Sequence, residues 1–337
     1  MIRDYETLIR LFTPPERTRA GIPFGNPPDP VTFDGARVVV YGVCFDETAS
    51  FGRSSHLGPE AMRNASGKQV ETYCLDEGCD IYQKVPVFDL GDFRIRGKLS
   101  AEASNILHDE YARDRKNAVA KLEKLLKQFD GLRDVTQFLR TSGKIPLMLG
   151  GEHTLSYWTL SGVAPENPVV IHFDAHRDAK QEYCGMRLCH TTPMYHYLTE
   201  NRNGRTADFV QIGIRQADVN EERFAKEAGI ITFYPRDIRE RPKKVASEIN
   251  RLTAKRNVYI TFDMDVLDCC YTPCTGTPEP FGLRPEEVVG LIKSVNKNSR
   301  LIGADCVEVG AKKDDFREGT IATQILLRLL ARNFVRN

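Results

Sequence analysis

The sequence predicts an α/β protein, with a three-layer αβα arrangement around a central, mostly parallel sheet of about eight strands. Two observations support this prediction. Short apolar segments alternate with longer amphipathic segments over about 300 residues, and such alternation is typical of parallel sheets covered by helices. The apolar segments are also continuous, as expected for strands that are buried on both faces.

The eight strand candidates are short apolar runs. In chain order they are Val38–Val43, Val85–Asp89, Ile145–Leu149, Val169–Phe173, Phe209–Ile212, Ile230–Phe233, Val258–Phe262 and Leu301–Ala304. The helix candidates lie between or after these strands, and one of them, His108–Arg140, carries charged and apolar residues at helical spacing. They are Gly58–Asn64, His108–Arg140, Thr191–Glu200, Asp237–Leu252, Pro285–Ser294 and Thr320–Ala331. The first of these opens with Gly-Pro, and proline in the first turn suits a helix start.

Residues 1–36 are expected to form a Pro-rich N-terminal arm, and residues 37–337 a single α/β domain. Six prolines between positions 14 and 30 are expected to forbid a regular core element in the arm. The arm is interpreted as covering the body or a neighbouring subunit, with a loosely ordered terminus as the alternative. One domain is preferred because no linker or fixed-period repeat follows residue 36.

Charge and composition argue against several classes of partner. The 47 basic and 46 acidic residues give a net charge of +1, which offers no general reason to bind nucleic acid or an anionic membrane. No run approaches the roughly 18 apolar residues that would span a bilayer. The nine irregularly spaced cysteines, without a secretory signal, favour reduced thiols and a cytoplasmic location.

Five of the seven histidines fall between positions 153 and 196, and one of them stands between two carboxylates. Asp174, His176 and Asp178 follow the strand Val169–Phe173, at the edge where open α/β sheets bind ligands. In an extended segment residues i, i+2 and i+4 share one face. Two carboxylates and an imidazole form a mixed oxygen and nitrogen ligand set, and burying their charge would require a cation.

Two further motifs offer ligands of the same kind. His153 follows two glycines at the end of the third predicted strand. Asp263 and Asp265 follow Val258–Phe262, share a face, and would repel each other unless a cation lies between them. Asp268 is interpreted as the cap of the next turn.

The combined set contains four carboxylates and two imidazoles. It exceeds the four ligands of a tetrahedral zinc site and contains no thiolate. It suits two divalent ions bridged by carboxylates, with Mn²⁺ as the first choice and Ni²⁺, Co²⁺ or Zn²⁺ as alternatives.

The motifs Gly-Gly-Glu-His at 150–153, His-Phe-Asp-Ala-His-Arg-Asp at 172–178 and Thr-Phe-Asp-Met-Asp-Val-Leu-Asp at 261–268 resemble the three metal motifs of the ureohydrolases. That superfamily includes arginase, agmatinase, guanidinobutyrase, guanidinase, proclavaminate amidinohydrolase and formiminoglutamase. The resemblance covers roughly residues 37–333. It implies an arginase-like fold and a dinuclear-metal amidinohydrolase that is agmatinase-like and assembles as a trimer or hexamer.

The resemblance also implies a role for each candidate residue. One ion would be held by His153, Asp174, Asp178 and Asp263, and the other by Asp174, His176, Asp263 and Asp265. His190 corresponds to the histidine that shuttles protons and is expected to titrate near neutral pH. Glu308 corresponds to the carboxylate that receives the guanidinium group, and Asp265 is expected to accept a hydrogen bond from the attacking nucleophile.

Agmatine is the first choice of substrate, and its products would be putrescine and urea. Residues 179–187 lack the Asn-rich pattern of arginase, and the loop at 275–280 looks more like that of agmatinase. Arg177 or Arg187 would instead favour an acidic tail, as in guanidinobutyrate, if either faced the pocket. Three kinds of alternative stay open. The first is guanidinobutyrase, guanidinase or arginase activity, and the second is a formiminoglutamase-type reaction that releases formamide. The third is a non-catalytic metal-binding homologue.

Other conspicuous residues receive structural interpretations. His172 is assigned to the core, on the strand face opposite Asp174, and His196 to a helix behind the site. The loop Ser50–Gly58, with His56, is a candidate lining of the substrate entrance. The cysteines near the motifs are interpreted as small packing residues. They are Cys184, Cys189, Cys269, Cys270 and Cys274.

Overall fold

The architecture is a nine-stranded sheet between two layers of helices, seen in a computed structural model that describes residues 2–27, 29–109, 111–201, 208–312 and 317–334. The described residues leave out parts of the predicted arm, of the predicted domain and of the second helix candidate. The positions left out are 1, 28, 110, 202–207, 313–316 and 335–337. The strands are β1 (Phe12–Thr13), β2 (Val38–Gly42), β3 (Tyr73–Cys74), β4 (Cys79–Asp80), β5 (Val87–Phe93), β6 (Ile145–Leu149), β7 (Val169–Phe173), β8 (Phe209–Ile212), β9 (Ile231–Phe233), β10 (Asn257–Asp263) and β11 (Arg300–Val307). The helices are α1 (Tyr5–Ile9), α2 (Gly58–Lys68), α3 (Ile81–Lys84), α4 (Ala101–Ile106), α5 (Arg115–Leu126), α6 (Asp130–Thr141), α7 (Ser156–Val163), α8 (Pro193–Asn201), α9 (Val219–Glu227), α10 (Pro235–Glu240), α11 (Pro242–Thr253), α12 (Pro285–Ser294) and α13 (Arg317–Phe334).

The strand order in the main sheet is β1-β5-β2-β6-β11-β10-β7-β8-β9. Every neighbouring pair is parallel except β1 and β5. Each of the eight predicted strands exists, and β6, β7 and β8 have the predicted bounds. The predicted three-layer fold with a mostly parallel sheet is therefore confirmed.

Helices cover both faces of the sheet, which explains the continuous apolar strands. On one face α2, α11, α12 and α13 pack side by side, and on the other face α6, α7 and α8 do so. All five residues of β7 are buried. Within the part of the chain that the structure describes, no helix is long and apolar enough to cross a bilayer.

The arm departs from its prediction, because it contributes a regular element to the core. Residues Phe12–Thr13 form β1, which pairs antiparallel with the edge strand β5 and becomes the ninth strand. Phe12 is buried, with its ring 5.8 Å from that of Tyr41 and 5.7 Å from that of Phe93. The first prolines of the arm are Pro14 and Pro15, so the preceding segment keeps the backbone N–H groups that a strand requires.

Two long helix candidates are each divided in the structure. The segment 108–140 contains α5 and α6, joined by a 3-10 turn at Lys127–Phe129. The segment 237–252 contains most of α10 and α11, because Pro242 lacks the N–H group that a continuous helix would need there. Helix α7 was not among the candidates, because it is buried all round and shows no amphipathic pattern.

Four adjacent strands position the candidate site. The strands β6, β11, β10 and β7 are consecutive neighbours and run in the same direction. Their carboxyl ends therefore meet at one edge of the sheet, and the residues that follow them face a common region.

Candidate active site

His153 is surrounded by three of the predicted carboxylates. Its Nδ1 atom lies 2.9 Å from Asp178 Oδ2, 3.1 Å from Asp174 Oδ2 and 3.1 Å from Asp263 Oδ2. All four side chains are buried and their ligand atoms cluster closely enough to share one ion. The structure thus brings together residues at or just beyond the ends of three different strands.

The hydrogen bonds on the other side of the His153 ring favour a metal-binding tautomer. Thr261 Oγ1 donates its proton to Asp305 Oδ1 at 2.7 Å, so it accepts from His153 Nε2 at 3.0 Å. The buried Nδ1 atom has no well-aligned hydrogen-bond partner among the described residues. A neutral His153 with its proton on Nε2 therefore directs the Nδ1 lone pair towards three carboxylates, which is the geometry of a cation ligand.

A second group of potential ligands adjoins the first. His176 Nδ1 lies 2.9 Å from Asp265 Oδ2 and 3.5 Å from Asp174 Oδ1. Asp174 belongs to both groups and could bridge two ions. Asp263 Oδ1 accepts a hydrogen bond from the backbone N–H of Asp265 at 2.9 Å. Asp263 therefore belongs to the first ligand group and not to the second.

The charges of these groups also fit divalent cations. Burial, followed by repulsion from Asp265 and Asp174, raises the pKa of Asp263 well above its usual value. Burial and the charge of Asp174 raise the pKa of Asp178 to about 7. Divalent ions would replace these protons and offset the buried negative charge, so the oxygen and imidazole donors suit hard or borderline ions.

His172 is not the isolated core histidine that was expected. Its Nε2 atom donates to Asp174 Oδ2 at 2.7 Å, and its Nδ1 atom lies 3.1 Å from Gln211 Nε2. The assignment to the opposite strand face was wrong, because residues i and i+2 of a strand point to the same side. His172 therefore supports the carboxylate that both ligand groups share.

Neither Arg177 nor Arg187 lines the cavity. The Arg177 guanidinium is buried and donates to Glu222, Gln211, Thr232 and Tyr234. Arg187 forms a partly exposed ion pair with Glu200. The sequence argument for an acidic substrate tail therefore loses both of the residues on which it rested.

His190 lies on the wall of the cavity, close to two hydroxyl groups. Its Nε2 atom is 3.1 Å from Ser50 Oγ, and its Nδ1 atom is 3.4 Å from Thr48 Oγ1. Burial, followed by the charges of His108 and His176, lowers the pKa of His190 to about 3. This differs from the expected titration near neutral pH and makes His190 a neutral imidazole that must gain a proton before it can donate one.

Glu308 adopts a backbone conformation that is uncommon for its residue type. Its φ angle is +55°, a left-handed value that costs about 1–2 kcal/mol for a residue with a Cβ atom. The Oε1 atom accepts from the backbone N–H of His153 at 2.9 Å. A Cβ on Gly276 would lie 3.1 Å from Oε2, so the glycine leaves that oxygen accessible to a ligand.

One cavity is lined by five of the six ligand candidates together with His190 and Glu308. The sixth candidate, Asp174, lies deeper and does not line it. The volume of the cavity is about 380 Å³. Ser50, Phe51 and Gly52 from the predicted entrance loop also line it, whereas His56 pairs with Asp46 at 2.6 Å. The first residues of the loop Ser50–Gly58 therefore line the cavity, whereas His56 does not.

The cavity wall contains charged residues that the sequence did not reveal. Lys180 forms ion pairs with Asp218 and with Glu221, and Glu279 lies 3.7 Å from His176. Glu279 belongs to the loop that was already compared with the family, so a local signal existed. Asp218 and Glu221 follow β8 and open α9, and only the rule that β8 shares the same edge could have suggested them.

The structure agrees with two other interpretations. His196 is buried on α8 and contacts Glu200. Asp268 caps a turn, because it accepts from the backbone N–H groups of Cys270 and Gly282. Among the cysteines near the motifs, Cys189 and Cys274 are buried, as expected of packing residues, whereas Cys270 is exposed.

Comparisons with known proteins agree on one family. The model of the arginase family matches residues 36–331. The agmatinase of Bacillus anthracis is 31% identical over 309 residues, covering 90% of this chain and 94% of that protein. The N(1)-aminopropylagmatine ureohydrolase of Thermus thermophilus is 30% identical over 301 residues, covering 89% and 90%. The solved structure of the agmatine ureohydrolase of Thermoplasma volcanium aligns with a TM-score of 0.73 at 27% identity, covering 90% and 92%.

Proposed function

The chain belongs to the arginase family, whose members are hydrolases that act on guanidino C–N bonds, and we propose that it hydrolyses agmatine to putrescine and urea. Members of this family bind a dinuclear metal centre. The two overlapping ligand groups fit such a centre, and we propose Mn²⁺ in both positions, with Ni²⁺ as the alternative.

The charge of the cavity wall is the observation that favours agmatine as the substrate. Outside the metal ligands, the described lining residues include four carboxylates and one ammonium group. They are Asp218, Glu221, Glu279, Glu308 and Lys180. A substrate with a cation at each end matches this excess of negative charge, whereas the carboxylate of 4-guanidinobutyrate would be repelled.

Glu308 is the proposed receptor of the guanidinium group. Its Oε1 atom is occupied by the backbone of His153, and its Oε2 atom faces the space that Gly276 leaves free. A buried carboxylate can hold a planar guanidinium by charge-assisted hydrogen bonds, which fixes the central carbon near the ligand groups. Burial, followed by repulsion from Glu152, otherwise raises the pKa of Glu308 well above its usual value, so a cationic substrate also relieves an unfavourable charge.

Asp265 and His190 are the proposed proton-transfer residues. When bound, two divalent ions would provide an acidic water as the nucleophile and offset the charge that develops on the guanidino group. Asp265 would accept a hydrogen bond from the attacking water. His190, neutral before the reaction, would take a proton and return it to the departing amine, because an amine leaves poorly without one.

Turnover assays test this proposal directly. The protein is loaded with Mn²⁺ or Ni²⁺ and incubated with agmatine, arginine, 4-guanidinobutyrate, guanidine and formiminoglutamate, and urea and formamide are measured. We expect urea and putrescine from agmatine with the highest kcat/KM. Formamide release would instead identify a formimino hydrolase. Metal binding without any turnover would identify a non-catalytic homologue, and urea from another guanidino compound would move the assignment to guanidinobutyrase, guanidinase or arginase.

Arginine is the second candidate, because Lys180 stands beside Asp218 on the wall. An α-carboxylate and an α-amino group could exchange partners with this pair. Agmatine remains preferred because Lys180 is already paired with two carboxylates. We also propose a cytoplasmic location, because the nine irregularly spaced cysteines favour reduced thiols.

A further inference from the structure

Glu152 is a buried carboxylate with three hydrogen-bond donors and no role in the metal set. Its Oε2 atom accepts from the backbone N–H of Thr48 at 2.8 Å. Its Oε1 atom accepts from Thr48 Oγ1 at 2.6 Å and from Thr154 Oγ1 at 2.6 Å. Thr48 lies 104 residues away in the chain, so Glu152 fixes the segment just before the entrance loop against the turn after β6.

The Thr48 hydroxyl connects this carboxylate to His190. A hydroxyl has one proton to donate, and the short contact to Glu152 indicates that the proton points there. Thr48 Oγ1 is then an acceptor, and it receives the backbone N–H of His190 at 2.9 Å. The same oxygen is 3.4 Å from His190 Nδ1, which favours a proton on Nδ1. Ser50 Oγ lies 3.1 Å from Nε2 on the cavity side and can donate to its lone pair.

We propose that Glu152 is a positioning residue for His190. By holding the Thr48 proton, it selects the tautomer of His190 that is protonated on Nδ1 and keeps Nε2 as the base that faces the cavity. The proposal builds on the proposed hydrolase function. In a histidine and carboxylate pair, the carboxylate holds the imidazole in one tautomer by a direct hydrogen bond. Here a threonine hydroxyl would lie between the two groups.

The substitution Glu152→Gln tests the proposal without changing the volume. The amide oxygen would keep the Thr48 N–H, and the amide nitrogen would then face the Thr48 and Thr154 hydroxyls as a donor. The Thr48 proton would turn towards His190 Nδ1 and reverse the tautomer. We expect kcat to fall by about 10- to 100-fold with little change in KM.

A competing explanation is that Glu152 merely supports the adjacent ligand His153. A double-mutant cycle separates the two, because residues that act through one another are not additive. In a His190→Ala background, Glu152→Gln should change kcat by less than about twofold. An equal loss in both backgrounds, or a loss of bound metal measured by mass spectrometry, would overturn the proposal.

Thr48 provides the matched pair of variants. Thr48→Val keeps the shape and removes the hydroxyl, so it should reproduce most of the Glu152→Gln loss. Thr48→Ser retains the hydroxyl and should stay within about threefold of the parent protein, as expected for a contact that needs only the Oγ atom. Equal losses in both Thr48 variants would contradict the connection.

A spectroscopic readout separates this proposal from the proposed function. Solid-state NMR of the ¹⁵N-histidine-labelled, Zn²⁺-loaded protein reports which ring nitrogen of His190 is protonated, with His190→Ala to identify the signal. We expect Nδ1–H in the parent protein and Nε2–H in Glu152→Gln. An unchanged tautomer would refute the positioning role even if agmatine were hydrolysed, and the expected reversal would support it even if no guanidino compound were turned over.

Discussion

The Nε2 atom of His172 donates to Asp174 Oδ2 at 2.7 Å, and Asp174 is the carboxylate common to both candidate ligand groups. Gln211 donates to the opposite nitrogen of the same ring at 3.1 Å, which fixes the His172 proton on Nε2. A ligand carboxylate held in this way is oriented before an ion arrives, and loss of such an outer partner typically weakens metal affinity by about 10- to 100-fold.

The first prediction concerns this hydrogen bond. His172→Leu removes the donor and should weaken metal binding about 10- to 100-fold, because Asp174 is no longer held in place. A chelator-competition titration measures the change. His196→Leu is the matched control, since His196 is also a buried histidine but contacts Glu200 and not a ligand. An equal loss of affinity in both variants would contradict the role of His172.

The sequence contained more information about His172 than its assignment used. Two-residue periodicity alone puts His172 and Asp174 on one face. The meeting of His153, Asp174 and Asp263 was predictable for a similar reason, because the carboxyl ends of neighbouring parallel strands coincide. These predictions needed only local patterns and the fold class.

Other parts of the site depend on tertiary contacts that no local pattern encodes. Thr48 contacts His190, which is 142 residues away in the chain. Arg177 does not face the cavity, because its guanidinium donates to Gln211 and Glu222. The burial that lowers the pKa of His190 is also a property of the assembled fold. Sequence motifs therefore predicted which candidate ligands come together better than they predicted the residues of the cavity wall.

The second prediction concerns the number of ions. Asp265→Ala should reduce bound metal from two ions per chain to one and abolish turnover, because Asp265 contacts His176 in the second ligand group. Metal analysis by mass spectrometry and a urea assay measure the two effects. Asp268→Asn should retain both ions, since Asp268 only caps a turn. Full activity with one ion in Asp265→Ala would exclude a two-ion mechanism.

The third prediction concerns the strand that the arm adds to the sheet. Phe12 is buried against Tyr41 and Phe93, so Phe12→Ala should lower the free energy of unfolding by about 3–5 kcal/mol. Chemical denaturation measures this change. Phe281→Ala, at a residue that is 78% exposed, should stay within about 0.5 kcal/mol of the parent protein. A small effect at Phe12 would mean that the arm is detached in solution.

The fourth prediction concerns stability in acid. Burial lowers the pKa of His190 to about 3, whereas an unfolded histidine has a pKa of about 6.5. The unfolded state therefore takes up the proton first, and stability falls as the pH drops below about 6.5. Between pH 7.5 and 5.0 the loss from His190 amounts to about 2 kcal/mol.

Urea denaturation at these two pH values tests the effect. His190→Asn should lose about 2 kcal/mol less than the parent protein over this interval, because it has no imidazole to protonate. Losses common to both proteins, such as those from the ligand carboxylates, cancel in the comparison. The same decrease in both proteins would mean that His190 titrates normally in the folded state.

The fifth prediction concerns the choice of substrate. Asp218 contacts Lys180 on the cavity wall and also caps α9 through the backbone N–H groups of Asn220 and Glu221. Asp218→Asn keeps an oxygen for the cap and removes one negative charge from the wall. If the amine of agmatine faces this charge, KM for agmatine should rise about two- to fivefold, the range expected for a partly exposed ion pair. Butylguanidine has the same guanidinium group but no amine, so its inhibition constant should not change. An equal weakening of both compounds would show that Asp218 acts on the shape of the pocket, and the cavity charge would then no longer favour agmatine over arginine.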